Sequence, residues 1–182
     1  MFRKLANIMF VLVFASVVWA DAQWTGPGYD SAAGAWETTN WNTLPITTDT
    51  VVKVYRSDEG GSNITISSSV SGGTKLQMKN GKSKITINNG GILTNSDVVE
   101  MFLGTSSEVE IMAGGRWDAC ISAAGVNFLL ASETASKDTV SIWGILNVSG
   151  SGNPQLTIGT TANVDGYGSA NIYDGGIVNA AP

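Results

Sequence analysis

The chain has 182 residues, is 43% hydrophobic but only 14% charged, and carries 22 glycines, one cysteine, no histidine and a net charge of −5. Such a composition leaves room for one core beneath a surface of Ser, Thr, Asn and Gly, and it presents no basic patch to nucleic acid. Without histidine, Ser-His-Asp and Cys-His nucleophilic sites and His-ligated zinc sites are excluded, and the lone Cys120 allows no internal disulfide.

At the amino terminus Arg3 and Lys4 precede an apolar run from Leu5 to Trp19 that ends at Ala20-Asp21-Ala22. A charged start, an apolar stretch and a small-residue ending form the pattern of an export signal. The run includes Asn7 and falls short of the roughly 20 residues that span a bilayer. Residues 1–22 are therefore expected to be a signal helix, cut after Ala22 or, alternatively, after Ala20. The mature chain would have no membrane span, be secreted or held at the cell surface, and be one unit more negative, having lost Arg3, Lys4 and Asp21.

Residues 23–49 form a second unit that holds Trp24, Trp36 and Trp41, half of the six tryptophans. The segment precedes a repetitive region, and the first coil of a stack needs cover for its bare apolar cross-section and unpaired backbone. Trp36 and Trp41 are expected to supply that N-terminal cap. The competing reading makes Trp24, Trp36 and Trp41 a platform for stacking sugars.

From residue 50 to 182 the chain repeats itself. Ile85 to Leu93, Val109 to Trp117, Val140 to Leu146 and Ala170 to Val178 each read as strand, glycine corner and second strand. Ile87, Ile111, Ile142 and Ile172 mark equivalent places, and Met78, Leu103, Leu130 and Ile158 provide a second set of anchors with a similar spacing. Repeats of this length are written by solenoids, whose units bury their apolar sides only against their neighbours. The variable lengths fall in residues 131–138 and 149–153, where insertions would bulge from a corner.

Period-two alternation sorts the side chains by face. Ile85 and Ile87, Val109 and Ile111, Val140 and Ile142, Ala170 and Ile172 point inward, followed after the corner by Leu93, Trp117, Leu146 and Val178. Thr86, Glu110, Ser141 and Asn171, then Thr94, Asp118, Asn147 and Asn179, point out. Beyond the leader no stretch has helical spacing, and β-branched residues dominate. The expected fold is all-β: a right-handed parallel β-helix, or β-solenoid, of about five coils.

Few residues are candidates for chemistry. The outward place before the glycine corner is taken by Asn88, Met112, Trp143 and Tyr173, so Met112, Trp143 and Tyr173 should form an exposed stripe, with coils about 4.8 Å apart. That stripe is the candidate ligand-binding site, weighed against a side-chain ladder with no ligand. Trp117 belongs to the core, and Cys120, in an apolar segment, reads as a buried inert thiol. The carboxylates scatter without the paired spacing of a glycosidase. Arg116 beside Asp118 is the nearest approach to a lyase site, and Asp165-Gly166-Tyr167-Gly168 lacks the glycine-aspartate nonapeptide repeat that binds calcium between coils. No catalytic residue, cofactor or metal is expected.

The opening Trp36, Trp41, Pro45, Asp49 and Val51, followed by glycine-punctuated coils, resembles the start of secreted bacterial β-helix proteins of the autotransporter-associated β-strand and PEP-CTERM surface type. The resemblance covers most of the mature chain and implies a surface-located or secreted adhesive or structural module. Its partners would be polysaccharide or other cell-surface or matrix components. The PEP-CTERM sorting segment is absent from this sequence. Pro182 closely follows Ile177-Val178-Asn179, so further coils of the same protein are expected to cover that end. The alternative function is a carbohydrate-binding or polysaccharide-degrading β-helix whose active coils lie beyond this fragment.

Overall fold

The structure is a computed structural model that describes residues 21–38, 40–47, 50–55, 61–78, 82–96, 99–101, 107–119, 127–130, 137–149, 155–158 and 167–181. Residues 1–20 of the expected signal helix, Leu103, Cys120 and Asp165 lie outside those residues, whereas Asp21 and Ala22, expected to end that helix, are extended and pair with Val51 and Val52. Among the described residues the chain is all-β, without helix, and its strands form three parallel sheets. The first sheet runs β1 (Asp21–Gln23), β3 (Val51–Lys53), β6 (Lys75–Met78), β9 (Val99–Met101), β12 (Asn127–Leu130) and β15 (Gln155–Ile158). The second runs β2 (Gly34–Ala35), β4 (Ser62–Ile66), β7 (Ser83–Ile87), β10 (Ser107–Ile111), β13 (Lys137–Ile142) and β16 (Tyr167–Ile172). The third runs β5 (Ser69–Ser71), β8 (Ile92–Thr94), β11 (Arg116–Ala119), β14 (Ile145–Ser149) and β17 (Ile177–Ala181). From β3 onward the chain visits the three sheets in fixed rotation, and each strand pairs with the strand one visit later, an order consistent with a parallel solenoid.

Burial follows from the alternation. β4, β7 and β10 all read buried, half-buried, buried, half-buried, buried. Ile64, Ile66, Ile85, Ile87, Val109 and Ile111 join Leu76, Met78, Leu93, Trp117, Val140, Ile142 and Leu146 in one cluster fed by all three sheets. Each such side chain contributes roughly 1.5–3 kcal/mol on leaving water. The pairs Ile87 with Ile111, Ile111 with Ile142 and Ile142 with Ile172 reproduce the expected register, as do Leu93, Trp117, Leu146 and Val178.

The second anchor needs correction. Met78 and Leu130 both pair with Met101, two residues before the expected Leu103. A shift of two keeps every side chain on its face, so apolar pattern alone does not separate the two registers. A strand was also missed: Ser62–Ile66 pairs in register with Ser83–Ile87, although no glycine corner follows it. Two of the sheets hold six strands, against about five expected coils, because β1, which begins at Asp21 inside the expected signal, and β2, in the Trp-rich segment, add a rung to each.

In that segment Trp24, Trp36 and Trp41 are buried, at 0%, 3% and 5% exposure. Trp24 meets Trp41 edge to face at 5.1 Å between ring centroids, and Trp36 lies 4.7 Å from Trp41. The indole N–H groups of Trp24 and Trp41 are satisfied locally: Trp24 Nε1 donates to the Pro27 carbonyl at 3.0 Å and Trp41 Nε1 to the Trp36 carbonyl at 2.9 Å. With all three rings buried, the sugar-platform reading loses the open faces it needs. Glu37 accepts hydrogen bonds from the Ser67 and Ser68 N–H groups and the Ser68 hydroxyl, fastening the segment to the corner before β5. Tyr29 reaches along the second sheet to donate to Glu108 Oε1 at 2.9 Å, with Lys82 5.5 Å from its ring. Gly61 permits this close passage, since at φ 68° a side chain there would run into the Lys82 carbonyl.

Candidate functional site

The outward stripe is built by the corners between the second and third sheets. The N–H of Met112 donates to Ile87 O at 2.9 Å, that of Trp143 to Ile111 O at 2.8 Å and that of Tyr173 to Ile142 O at 2.9 Å. Each of the three therefore occupies the same place, one rung apart. Met112 is 38% exposed and Tyr173 43%, while Trp143 is half-buried. Trp143 and Tyr173 stack with centroids 4.1 Å apart and an interplanar angle of 5°, the offset of one rung expected of parallel strands.

Beside the stripe lies a groove of about 330 Å³, lined by Trp143, Arg116, the glycines at 90, 114, 115, 144 and 175, and Ile92, Ile145 and Ile177. Its origin is a difference in corner length. Four residues separate β10 from β11 and β16 from β17, but only Trp143 and Gly144 separate β13 from β14. The short corner folds back so tightly that both its N–H groups donate to Ile111 O. A side chain at Gly144 would strike the Gly115 and Met112 carbonyls. The longer corners on either side project beyond it, and the notch between them is floored by glycine. At Gly175 a Cβ would meet nothing nearer than the Trp143 carbonyl at 3.9 Å, so the absence of side chains there keeps the floor open.

Across the groove the outward face of the third sheet carries a polar ladder. Arg116 Nε donates to Asp118 Oδ2 at 3.0 Å, Asn147 Nδ2 to Asp118 Oδ1 at 2.7 Å and Asn179 Nδ2 to Asn147 Oδ1 at 2.9 Å. Both carboxylate oxygens of Asp118 are engaged, and Arg116 is bound to the acid it would have to act beside. The pair forms part of a surface ladder. Among the described residues no three His, Cys, Asp or Glu side chains come together as a metal site would require.

A column of inward polar residues escaped the sequence reading. Ser62, Ser83, Ser107 and Asp138 head β4, β7, β10 and the buried part of β13, each 0–1% exposed. Ser62 and Ser83 both donate to the Val54 carbonyl, at 3.0 and 2.7 Å, and Asp138 Oδ1 accepts the Ser107 N–H at 2.9 Å. The signal was available, since each lies two residues before an inward aliphatic and so shares its face. Asn95 was likewise passed over, though it is buried and accepts the Trp117 indole N–H at 2.9 Å.

The chain matches no protein-family profile, no characterised protein and no solved structure. The resemblance to bacterial surface β-helix proteins therefore stands on the tryptophan-proline opening and the glycine-punctuated coils alone.

Proposed function

We propose that this chain is a secreted or cell-surface structural or adhesive module, built as a closed right-handed parallel β-helix and lacking catalytic activity. One observation carries the reading: outward residues line up rung upon rung in continuous ladders, Thr86–Glu110–Ser141–Asn171 on one sheet and Thr94–Asp118–Asn147–Asn179 on another. A repeating, weakly charged, flat surface is suited to lateral contact with a matrix. Right-handedness follows from the near-universal hand of parallel crossovers. The leader-like pattern that precedes β1, the burial of Trp36 and Trp41 in the opening, and the resemblance to autotransporter-associated and PEP-CTERM proteins support export and a bacterial surface setting. Polysaccharide or other surface components, and further coils of the same protein, are the expected partners. The test is to incubate the purified protein with insoluble plant and microbial polysaccharides and assay both retention and product release. Retention or self-assembly without turnover supports the module, and sugar release overturns it.

The notch at Trp143 favours a second reading, carbohydrate binding along the glycine corner. A sugar ring stacks on aromatic faces while its hydroxyls reach groups such as Arg116 at the rim. Affinity electrophoresis of wild type, Trp143→Ala and a variant with Asp-Gly inserted after Trp143 tests it. Loss of retention in both variants supports a site in the notch, and unchanged retention removes it.

A further inference from the structure

The export reading leaves two candidate cleavage bonds, and the first strand distinguishes between them. A cut after Ala22 has Ala20 three residues before the bond, and a cut after Ala20 has Val18 there, so both satisfy the small-residue pattern. β1, however, begins at Asp21. Asp21 pairs with Val51, Ala22 with Val52 and Gln23 with Lys53, and Ala22 is fully buried in the core. The Asp21 carboxylate forms an ion pair with the Lys53 ammonium, and the next residue, Trp24, donates its N–H to Lys53 O at 3.0 Å. A cut after Ala22 would discard two of the three paired residues, empty the Ala22 position, remove the partner of Lys53 and expose the edge of β3. A cut after Ala20 retains all of these and places the new ammonium on Asp21, which is already exposed.

We propose, resting on that export reading, that the mature protein begins at Asp21. The leader peptidase of the exporting cell hydrolyses the Ala20–Asp21 amide; water supplies the hydroxyl that completes the Ala20 carboxyl group and the proton taken up by the Asp21 amine. Cleavage precedes folding, so the fold decides which product endures. A chain starting at Gln23 presents an open first edge to proteases outside the cell.

The test is to express the full-length precursor in an export-competent bacterial host and weigh the intact extracytoplasmic product. A mass for residues 21–182 is expected. A mass lighter by one Asp and one Ala residue overturns the proposal and leaves the export reading in place, whereas uncleaved precursor confined to the cytoplasm overturns both. Val18→Asp provides a second readout, because it puts a charge three residues before the bond after Ala20 but five before the other. Accumulated precursor is expected, and undiminished processing contradicts the assignment.

Discussion

Two groups of aromatic residues occupy opposite situations in this chain. Trp24, Trp36 and Trp41 pack together out of water at steep angles, and the N–H groups of Trp24 and Trp41 are satisfied by nearby carbonyls. Trp143 and Tyr173 lie on the outside as a face-to-face stack of nearly parallel rings, held one rung apart by the strand ladder beneath them. Residue type therefore does not decide the role. In the non-repeating opening no lattice dictates ring positions, and the indoles close over the core in edge and tilted contacts. In the repeats the backbone spacing imposes a parallel stack, and the outward register leaves it facing solvent.

The largest expected effect comes from the buried group. Trp41→Ala should cost roughly 3–5 kcal/mol, as removal of a buried aromatic does, read as a lower denaturation midpoint. A midpoint equal to wild type would mean that the three indoles do not hold the opening to the coils. Trp143→Ala should cost only about 0.5–1.5 kcal/mol, the value of an aromatic pair. A loss as large as that of Trp41 would show that the exposed stack supports the fold.

A finer probe is Glu37, which ties the opening to the corner before β5. Burial would raise its pKa, but the Ser68 hydroxyl and the backbone N–H groups around it outweigh burial and hold the carboxylate below its ordinary 4.5. A depressed folded-state pKa stabilises fully above the ordinary value, and the contribution is lost as pH falls through the lower, folded one. Wild type should therefore lose stability on acidification through and below pH 4.5, and Glu37→Gln should flatten that slope by lowering the neutral midpoint while leaving the acid one little changed. Equal slopes in wild type and variant would contradict the attachment.

The smallest effect belongs to Ser107. Its hydroxyl is buried without a hydrogen-bond partner among the described residues, and an unsatisfied buried group costs roughly 1–3 kcal/mol. Ser107→Ala should leave the midpoint unchanged or slightly raised, and a clear loss would show that the hydroxyl is bonded in solution.

Much of the repeat region was legible from alternation alone, because inward Ile, Leu and Val and outward Thr, Ser and Asn follow a period that only strands share. The Ile87–Ile111–Ile142–Ile172 ladder and the Met112–Trp143–Tyr173 stripe were both readable in this way. The position of Met101 was not, since a two-residue slip conserves face and a nearby apolar residue looks equally good. β1 and β2 were hidden by their brevity and by the tryptophans, which suggested a separate lid where the chain adds an outermost strand to two of the sheets. The groove was invisible for a different reason: it arises from two residues that one corner lacks, and period counting absorbs that gap as length variation.

The central claim is that successive repeats lie side by side in parallel, one rung apart. Disulfide trapping in a Cys120→Ser background tests it most directly. Glu110→Cys with Ser141→Cys joins positions paired across β10 and β13, about 4.8 Å apart and within the Cα range a disulfide bridges. Glu110→Cys with Asn171→Cys places the thiols two rungs apart, beyond that range. The account predicts rapid oxidation of the first pair and none of the second. Efficient trapping of the second pair, or failure of the first in folded protein, would contradict it.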